Sequence, residues 1–225
     1  MEKYINNHII GLYKPIKWFK MITEKQLKIF EVFVKKPFLE YTRNEIKKIS
    51  KEKSNNKLNS TINLLKKEQV ILEKNVGKSG ILTLNLNNDL TYYYIALCNE
   101  KSTRNLKSTI DEIKKEISQI TSFYSLVIFG SYADGTQTKS SDLDIAIFIE
   151  DDKKIKNIKA NINMAKLKIL IDVDFQIISK KEMIEMLINK EENLGKQIVK
   201  KHAAIYNHKI FYDIITEALN YGFRI

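Results

Sequence analysis

Apolar positions repeat at helical spacing through much of the first half of the chain and then give way to runs that read as buried strands. Leu27, Phe30 and Val34 share one face of a helix predicted over 24–35, which Thr23 can cap and Pro37 stops. Thr42 opens a second helical stretch to about residue 51, with Ile46 and Ile49 facing inward. Asn55 or Asn56 opens a third to about residue 68, with Leu58, Ile62 and Leu65 on one side. Residues 70–74 and 81–86 read as two strands, joined over 75–80 by a turn rich in glycine and small polar residues. Leu106, Ile110, Ile113, Ile117 and Ile120 recur at spacings of three and four. They predict a core-facing helix over 101–122 that also joins the two halves.

From Tyr124 the texture changes. Leu126-Val127-Ile128-Phe129 is a buried strand, 143–149 a second with polar Asp144 near its start, and 170–178 a third. Residues 151–167 look helical, and 182 onward reads as helix in two or more pieces, interrupted near Gly195 and Asn207. No internal repeat and no Gly/Ser- or Pro-rich linker marks a boundary, so the division comes from the pattern changes. It gives an unassigned segment 1–20 holding Trp18 and Phe19, a unit at 21–100, the joining helix at 101–122 and a second unit at 123–225. The fold class is α+β.

Composition then removes several classes. With 225 residues, 44% of them hydrophobic, the chain can bury a core without covalent staples. A lone Cys98 cannot close an internal disulfide and reads as a small buried apolar residue. No Cys/His cluster has zinc spacing; His8, His202 and His208 stand outside any motif and read as surface or packing. No apolar run approaches the roughly 18 residues of a membrane span, and the apolar stretch 8–13 is too short for a signal peptide. A cytoplasmic protein with no membrane partner is expected. Residues 1–100 hold 18 basic and 10 acidic side chains, a balance of +8, whereas the remainder holds 20 and 17, a balance of +3. A basic half is the electrostatic footprint of a polyanion partner.

The candidate chemistry lies between the strands. A buried strand ends in Gly130-Ser131, and after ten intervening residues Asp142-Leu143-Asp144 opens the next. Side chains alternate along a strand, so Asp142 and Asp144 share a face while Leu143 points to the core. Adjacent carboxylates repel and raise each other's pKa, which favours a bound cation, and an oxygen-only donor set suits magnesium or manganese. Gly130 lets backbone approach a ligand, Ser131 adds a hydroxyl, and the start of a short helix after them would suit phosphate. A phosphate site beside paired carboxylates is the layout of two-metal nucleotidyl transfer, which calls for a third carboxylate. Asp172 and Asp174, on one face of the apolar run 171–178, are the two candidates.

Gly130, Ser131, Asp142 and Asp144 resemble the Gly-Ser, ten residues, Asp-x-Asp signature of the minimal nucleotidyltransferases of the DNA polymerase beta-like superfamily. The resemblance covers about 122–225 and implies a mixed sheet flanked by helices. In the family pattern the third Asp precedes an apolar strand end and a helix with an acidic start. Asp174, followed by Phe175 to Ser179 and Glu182, matches that better than Asp172. The resemblance further implies that Asp142, Asp144 and Asp174 hold magnesium or manganese, and that Gly130 and Ser131 bind the triphosphate of ATP or another NTP. A nucleoside monophosphate, most often AMP, would then pass to a hydroxyl. Relatives of this kind accompany HEPN-type toxins, which implies a toxin–antitoxin role with such a partner. One departure stands out: where many members carry Arg, this chain has Asp134.

The three helices and hairpin of 21–100 resemble a winged helix-turn-helix domain. That resemblance implies DNA or RNA binding through Lys57, Asn59, Ser60 and Thr61, on the outer face at the start of the third helix. Lys74 and Lys78 would lie on or near the wing. The competing readings are a DNA-binding regulator whose transferase domain senses nucleotide or is inert, an enzyme of RNA 3′ ends, and transfer to a small molecule, which the basic half does not favour.

Overall fold

The computed structural model describes residues 22–77 and 79–224, so Trp18, Phe19, His8 and Lys78 lie outside the described residues. Helix α1 (Glu24–Lys35) starts at a capping box: the Gln26 N–H donates to the Thr23 hydroxyl at 3.3 Å, and the Thr23 N–H donates back to Gln26 Oε1 at 3.0 Å. Leu27, Phe30 and Val34 are buried, as the pattern requires. Strand β1 (Tyr41–Thr42) is too short to carry a period and is not legible in the sequence. Helix α2 (Arg43–Ser50) opens on a second capping box, Thr42 with Glu45. Ile46 is buried but Ile49 is 52% exposed, against expectation. The inward neighbour of Ile46 is Ser50, one i+4 step on, whose hydroxyl donates to the Ile46 carbonyl at 2.6 Å. Helix α3 (Asn55–Lys67) is capped by Ser54 rather than by Asn55 or Asn56.

Strands β2 (Ile71–Val76) and β3 (Ser79–Leu84) pair Val76 with Ser79, so the connection is a two-residue hairpin loop with Gly77 at φ +59° rather than the longer turn expected over 75–80. β1 adds to β3, giving an antiparallel sheet of order β1-β3-β2. Helix α4 (Asp89–Ser102) has no counterpart in the sequence reading. It buries Thr91, Tyr94, Ile95, Cys98 and Asn99 on one face at spacings of three and four, but polar Thr91 and Asn99 belong to that face while Tyr93 and Leu97 lie exposed, so residue type does not mark the stripe. Tyr94 packs edge-on to Phe30 at 5.7 Å, and the Asn99 side-chain amide donates to the Ala204 carbonyl at 2.7 Å. The continuous helix expected over 101–122 is corrected to the end of α4, a 3-10 turn (Arg104–Leu106) and α5 (Lys107–Ser118). Leu106, Ile110, Ile113 and Ile117 are all buried.

The rest of the chain runs β4 (Tyr124–Phe129), α6 (Gly130–Asp134), β5 (Leu143–Ile149), α7 (Ile155–Lys166), β6 (Val173–Ser179), α8 (Lys180–Ile188), α9 (Leu194–Lys200), β7 (His202–Tyr206) and α10 (His208–Asn220). The sheet order is β6-β5-β4-β7, with β5 and β6 parallel and the other pairs antiparallel, so the sheet is mixed as expected. Three boundaries differ from the sequence reading. β6 begins at Val173, leaving Leu170 fully exposed. The break between helices falls at 189–193, and Gly195 lies inside α9, where a Cβ would meet Met186 Cβ at 2.8 Å. Residues 202–206, expected in helix, form β7, because pairing with β4 outweighs the helix preference of Ala203 and Ala204.

Each face of this sheet carries a core. Leu143, Ile145, Ile147 and Ile149 pack with Ile110, Ile113, Ile117, Ile158 and Ile162 of α5 and α7. Val127, Ala146 and Phe148 pack on the other side with Phe211 and Tyr212, in a cluster continuous with α1 and α4. Phe38 meets Tyr212 at 6.0 Å and Phe148 meets Phe211 at 5.3 Å. No helix among the described residues is long and apolar enough to cross a membrane.

Candidate active site

β4 is buried throughout and delivers the chain to Gly130. Glycine is needed there for two reasons. Its φ is +69°, and a Cβ would overlap the Asp144 carboxylate and sit 3.4 Å from Asp144 Cγ. The Gly130 N–H donates to the Lys201 carbonyl at 3.2 Å, tying the turn to the start of β7. Helix α6 begins at once and ends at Gly135, φ +78°. Phe129 at its N-cap position offers no side chain to the first N–H groups. Ser131 is half-buried, and its hydroxyl makes no hydrogen bond among the described residues.

The carboxylates sit where the pleat predicts. Leu143 is fully buried, Asp142 lies exposed just before β5, and Asp144 is half-buried on the opposite face from Leu143. The parallel register sets Asp144 directly opposite Asp174. Asp172 falls outside β6, and its carbonyl accepts the Leu143 N–H at 2.8 Å. Asp174 is itself exposed: the strand is buried at Val173 and Ile178, while Asp174 looks outward. Gln176 Nε2 lies 3.5 Å from Asp174 Oδ2.

Burial first, then the charges of Asp174 and Asp142, push the Asp144 carboxyl above its ordinary value. These three carboxylates therefore share a field that a cation would relieve. Among the described residues no group of three or more His, Cys, Asp or Glu is arranged to hold a metal on its own. Magnesium is normally held by one or two carboxylates completed by substrate phosphates and water, so the oxygen donors present fit it without a closed cage.

Asp134, the departure from the family pattern, is neutralised in place. Lys201 Nζ lies 2.5 Å from it, and Thr136 donates to it from its N–H at 3.2 Å and its hydroxyl at 2.5 Å. The Lys201 and Thr136 hydrogen bonds hold its carboxyl below the usual range. His202 is buried between the Val199 carbonyl (3.0 Å) and the Tyr212 hydroxyl (3.3 Å), and burial pushes it down to about 4. It is a neutral packing residue, as expected. Burial likewise pushes the Cys98 thiol up.

The candidate nucleic-acid residues do not all share a surface. Lys57 is ion-paired with Glu52 at 2.6 Å, Asn59 accepts from Arg43 at 3.3 Å, and Ser60 is exposed. Thr61 is fully buried and donates to the Lys57 carbonyl at 2.8 Å, so its expected outward position is corrected. It lies one turn from Leu58 and next to Ile62, on the core stripe of α3. Lys74 is exposed and paired with Glu40. The sequence reading passes over Arg43 and Lys66, which meet on Glu73 across α2, α3 and β2; their spacing in the chain gives no signal of it.

The Gly130 turn and the Asp144–Asp174 pair thus lie together on the mixed sheet. Residues 110–222, half of the chain, match the nucleotidyltransferase domain family, and the chain belongs to that family. A crystal structure described as a toxin–antitoxin with AMP-PNP is similar over 49% of this chain and 84% of that chain, at 17% identity and a TM-score of 0.34. None of the curated proteins matches.

Proposed function

We propose that the protein transfers a nucleoside monophosphate from an NTP, AMP from ATP in the first instance, to a hydroxyl of a macromolecule. The observation that carries this is the placement of Asp144 against both Asp174 and the Gly130 turn. Asp142, Asp144 and Asp174 are the residues that would hold magnesium or manganese, which supplies neutralisation of the triphosphate and a lowered pKa for the attacking hydroxyl. Gly130 keeps the backbone close enough for its turn to bind phosphate, and Ser131 offers a hydroxyl beside it. Asp174, exposed at the β6 edge, orients the acceptor. Lys201 cancels the charge of Asp134, so the acid does not repel phosphate.

The test is label transfer from each α-labelled NTP in cell extract with magnesium, against an Asp142→Asn/Asp144→Asn double variant. A labelled species lost in the variant supports the reading. Protease sensitivity would mark a protein acceptor, such as the HEPN-type toxin that the resemblance implies; ribonuclease sensitivity would mark RNA. No label with any nucleotide, from a protein that still retards DNA, would favour the regulator with a silent transferase domain. Asp174→Asn is expected to lower transfer about a hundredfold or more and Asp172→Asn less than about fivefold; the reverse order in initial rates would reassign the third carboxylate.

We further propose that 21–100 is a winged helix-turn-helix domain joined to the transferase at 123–225, and that it binds DNA or RNA. The order of α1, α2, α3 and the hairpin, and the exposed start of α3, support this. Lys57→Ala with Lys74→Ala and Lys78→Ala is expected to weaken binding and to flatten the plot of log affinity against log salt, by up to about 0.9 for each phosphate these lysines neutralise. An unchanged slope in a retardation assay would remove this surface from the account.

A further inference from the structure

A cavity of about 600 Å³ lies between the segment 35–39, the end of α6 and residues 199–202. Its position is informative. The first residue of α6, Gly130, abuts Asp144, and the last, Asp134, lines the cavity. At 1.5 Å per residue the two ends of that helix are about 6 Å apart. The cavity therefore opens beside the candidate site, on the β7 side of the Gly130 turn and away from Asp174.

The lining has two chemistries. Phe38 and its neighbours Pro37 and Leu39, with Val199 opposite, make an apolar wall. Lys35, Lys36, Lys200 and Lys201 bring four positive charges against the one negative charge of Asp134, a balance of +3, since His202 is neutral. Lys200 and Lys201 are already paired, with Glu192 and Asp134. Lys35 and Lys36 are exposed and make no ion pair among the described residues. An apolar, partly aromatic wall with a cationic rim suits a ligand that has a flat π-face at one end and phosphate at the other. It is repulsive to cationic amino sugars. The volume lies within the range of small-molecule sites, large enough for a single nucleotide unit.

We propose that this cavity binds a nucleoside phosphate, with the base against Phe38 and the phosphates on Lys35 and Lys36, so that the first unit of the chain completes the substrate site of the second. The choice of ligand rests on the nucleotidyl-transfer reading. The cavity wall at 35–39 lies outside the stretch that matches the family, 110–222, whereas Asp134 and residues 199–202 lie within it. The ligand has two sources, a free NTP or the terminal nucleotide of a strand, and both present the same chemistry.

Binding to the full-length chain distinguishes them. The probes are ATP with magnesium, by calorimetry, and a short oligoadenylate with a free 3′ hydroxyl, by fluorescence anisotropy. Lys35→Glu with Lys36→Glu alters exposed side chains and is expected to weaken one probe about tenfold, the equivalent of about 1.4 kcal/mol. Phe38→Leu, which keeps apolar packing on Tyr212, is expected to weaken the same probe about threefold. Loss for ATP alone names the free triphosphate, loss for the oligonucleotide alone names the strand end, and loss for both names a cavity that serves each in turn. Wild-type protein that binds neither probe, or variants within twofold of wild type for both, would overturn the proposal. Because binding is read without turnover, this failure is separate from that of the transfer reading, which falls on the label-transfer assay.

Discussion

Asp144→Asn is expected to lower nucleotidyl transfer by at least about a thousandfold while making the metal-free protein more stable at neutral pH. The two effects have one cause. Burial and the charges of Asp174 and Asp142 raise the Asp144 pKa, so its ionised form costs stability in the folded state. That cost is absent below the ordinary carboxylate range. It grows as pH rises from there through the raised folded value, and it is fully present at neutral pH. Asparagine keeps the size of the side chain and removes the charge. Thermal melts in chelator should therefore place the variant above wild type at pH 7 and level with it in acid. Added magnesium should raise the melting temperature of wild type and leave the variant nearly unmoved. A variant less stable than wild type at pH 7 would show that Asp144 is a structural carboxylate rather than a strained ligand.

Gly130→Ala is expected to have the second-largest effect. An alanine at φ +69° carries about 1–2 kcal/mol of backbone strain. Its Cβ would also displace the Asp144 carboxylate, and misplacing a catalytic group by about 1 Å can cost about a hundredfold in rate. Gly77→Ala is the matched control. It has a similar φ, +59°, with nothing within 4 Å of the added carbon. Both variants should lose comparable stability in denaturant melts, and only Gly130→Ala should lose transfer. Equal activity losses would trace the effect to general destabilisation.

Much of this can be read along the chain. Thr23 with Gln26 and Thr42 with Glu45 act within four residues, so both helix starts are visible. The alternation of Asp142, Leu143 and Asp144 decides which side chains leave the core without knowledge of any neighbouring strand. Ile49 and Thr61 are misplaced when an apolar or polar type outvotes position on the helix, because the core selects by position. Helix α4 escapes a reading by periodicity because polar Thr91 and Asn99 sit on its buried face while apolar Tyr93 and Leu97 are exposed, so residue type does not follow burial along it. Strand β7 escapes because its two alanines favour helix when no partner strand is in view.

By itself, then, the sequence determined the capped helices, the glycine turn, the paired carboxylates and the family, because each depends on residues close together in the chain. Only the tertiary structure set Asp174 directly opposite Asp144 and left Asp172 before the start of β6, because the parallel β5–β6 register fixes which residues face each other. It alone cancelled Asp134 with Lys201 and drew Lys35, Lys36, Lys200 and Lys201 around one cavity. Those contacts join segments far apart in the chain, and their geometry is set by sheet pairing and core packing, which leave no local periodicity to read.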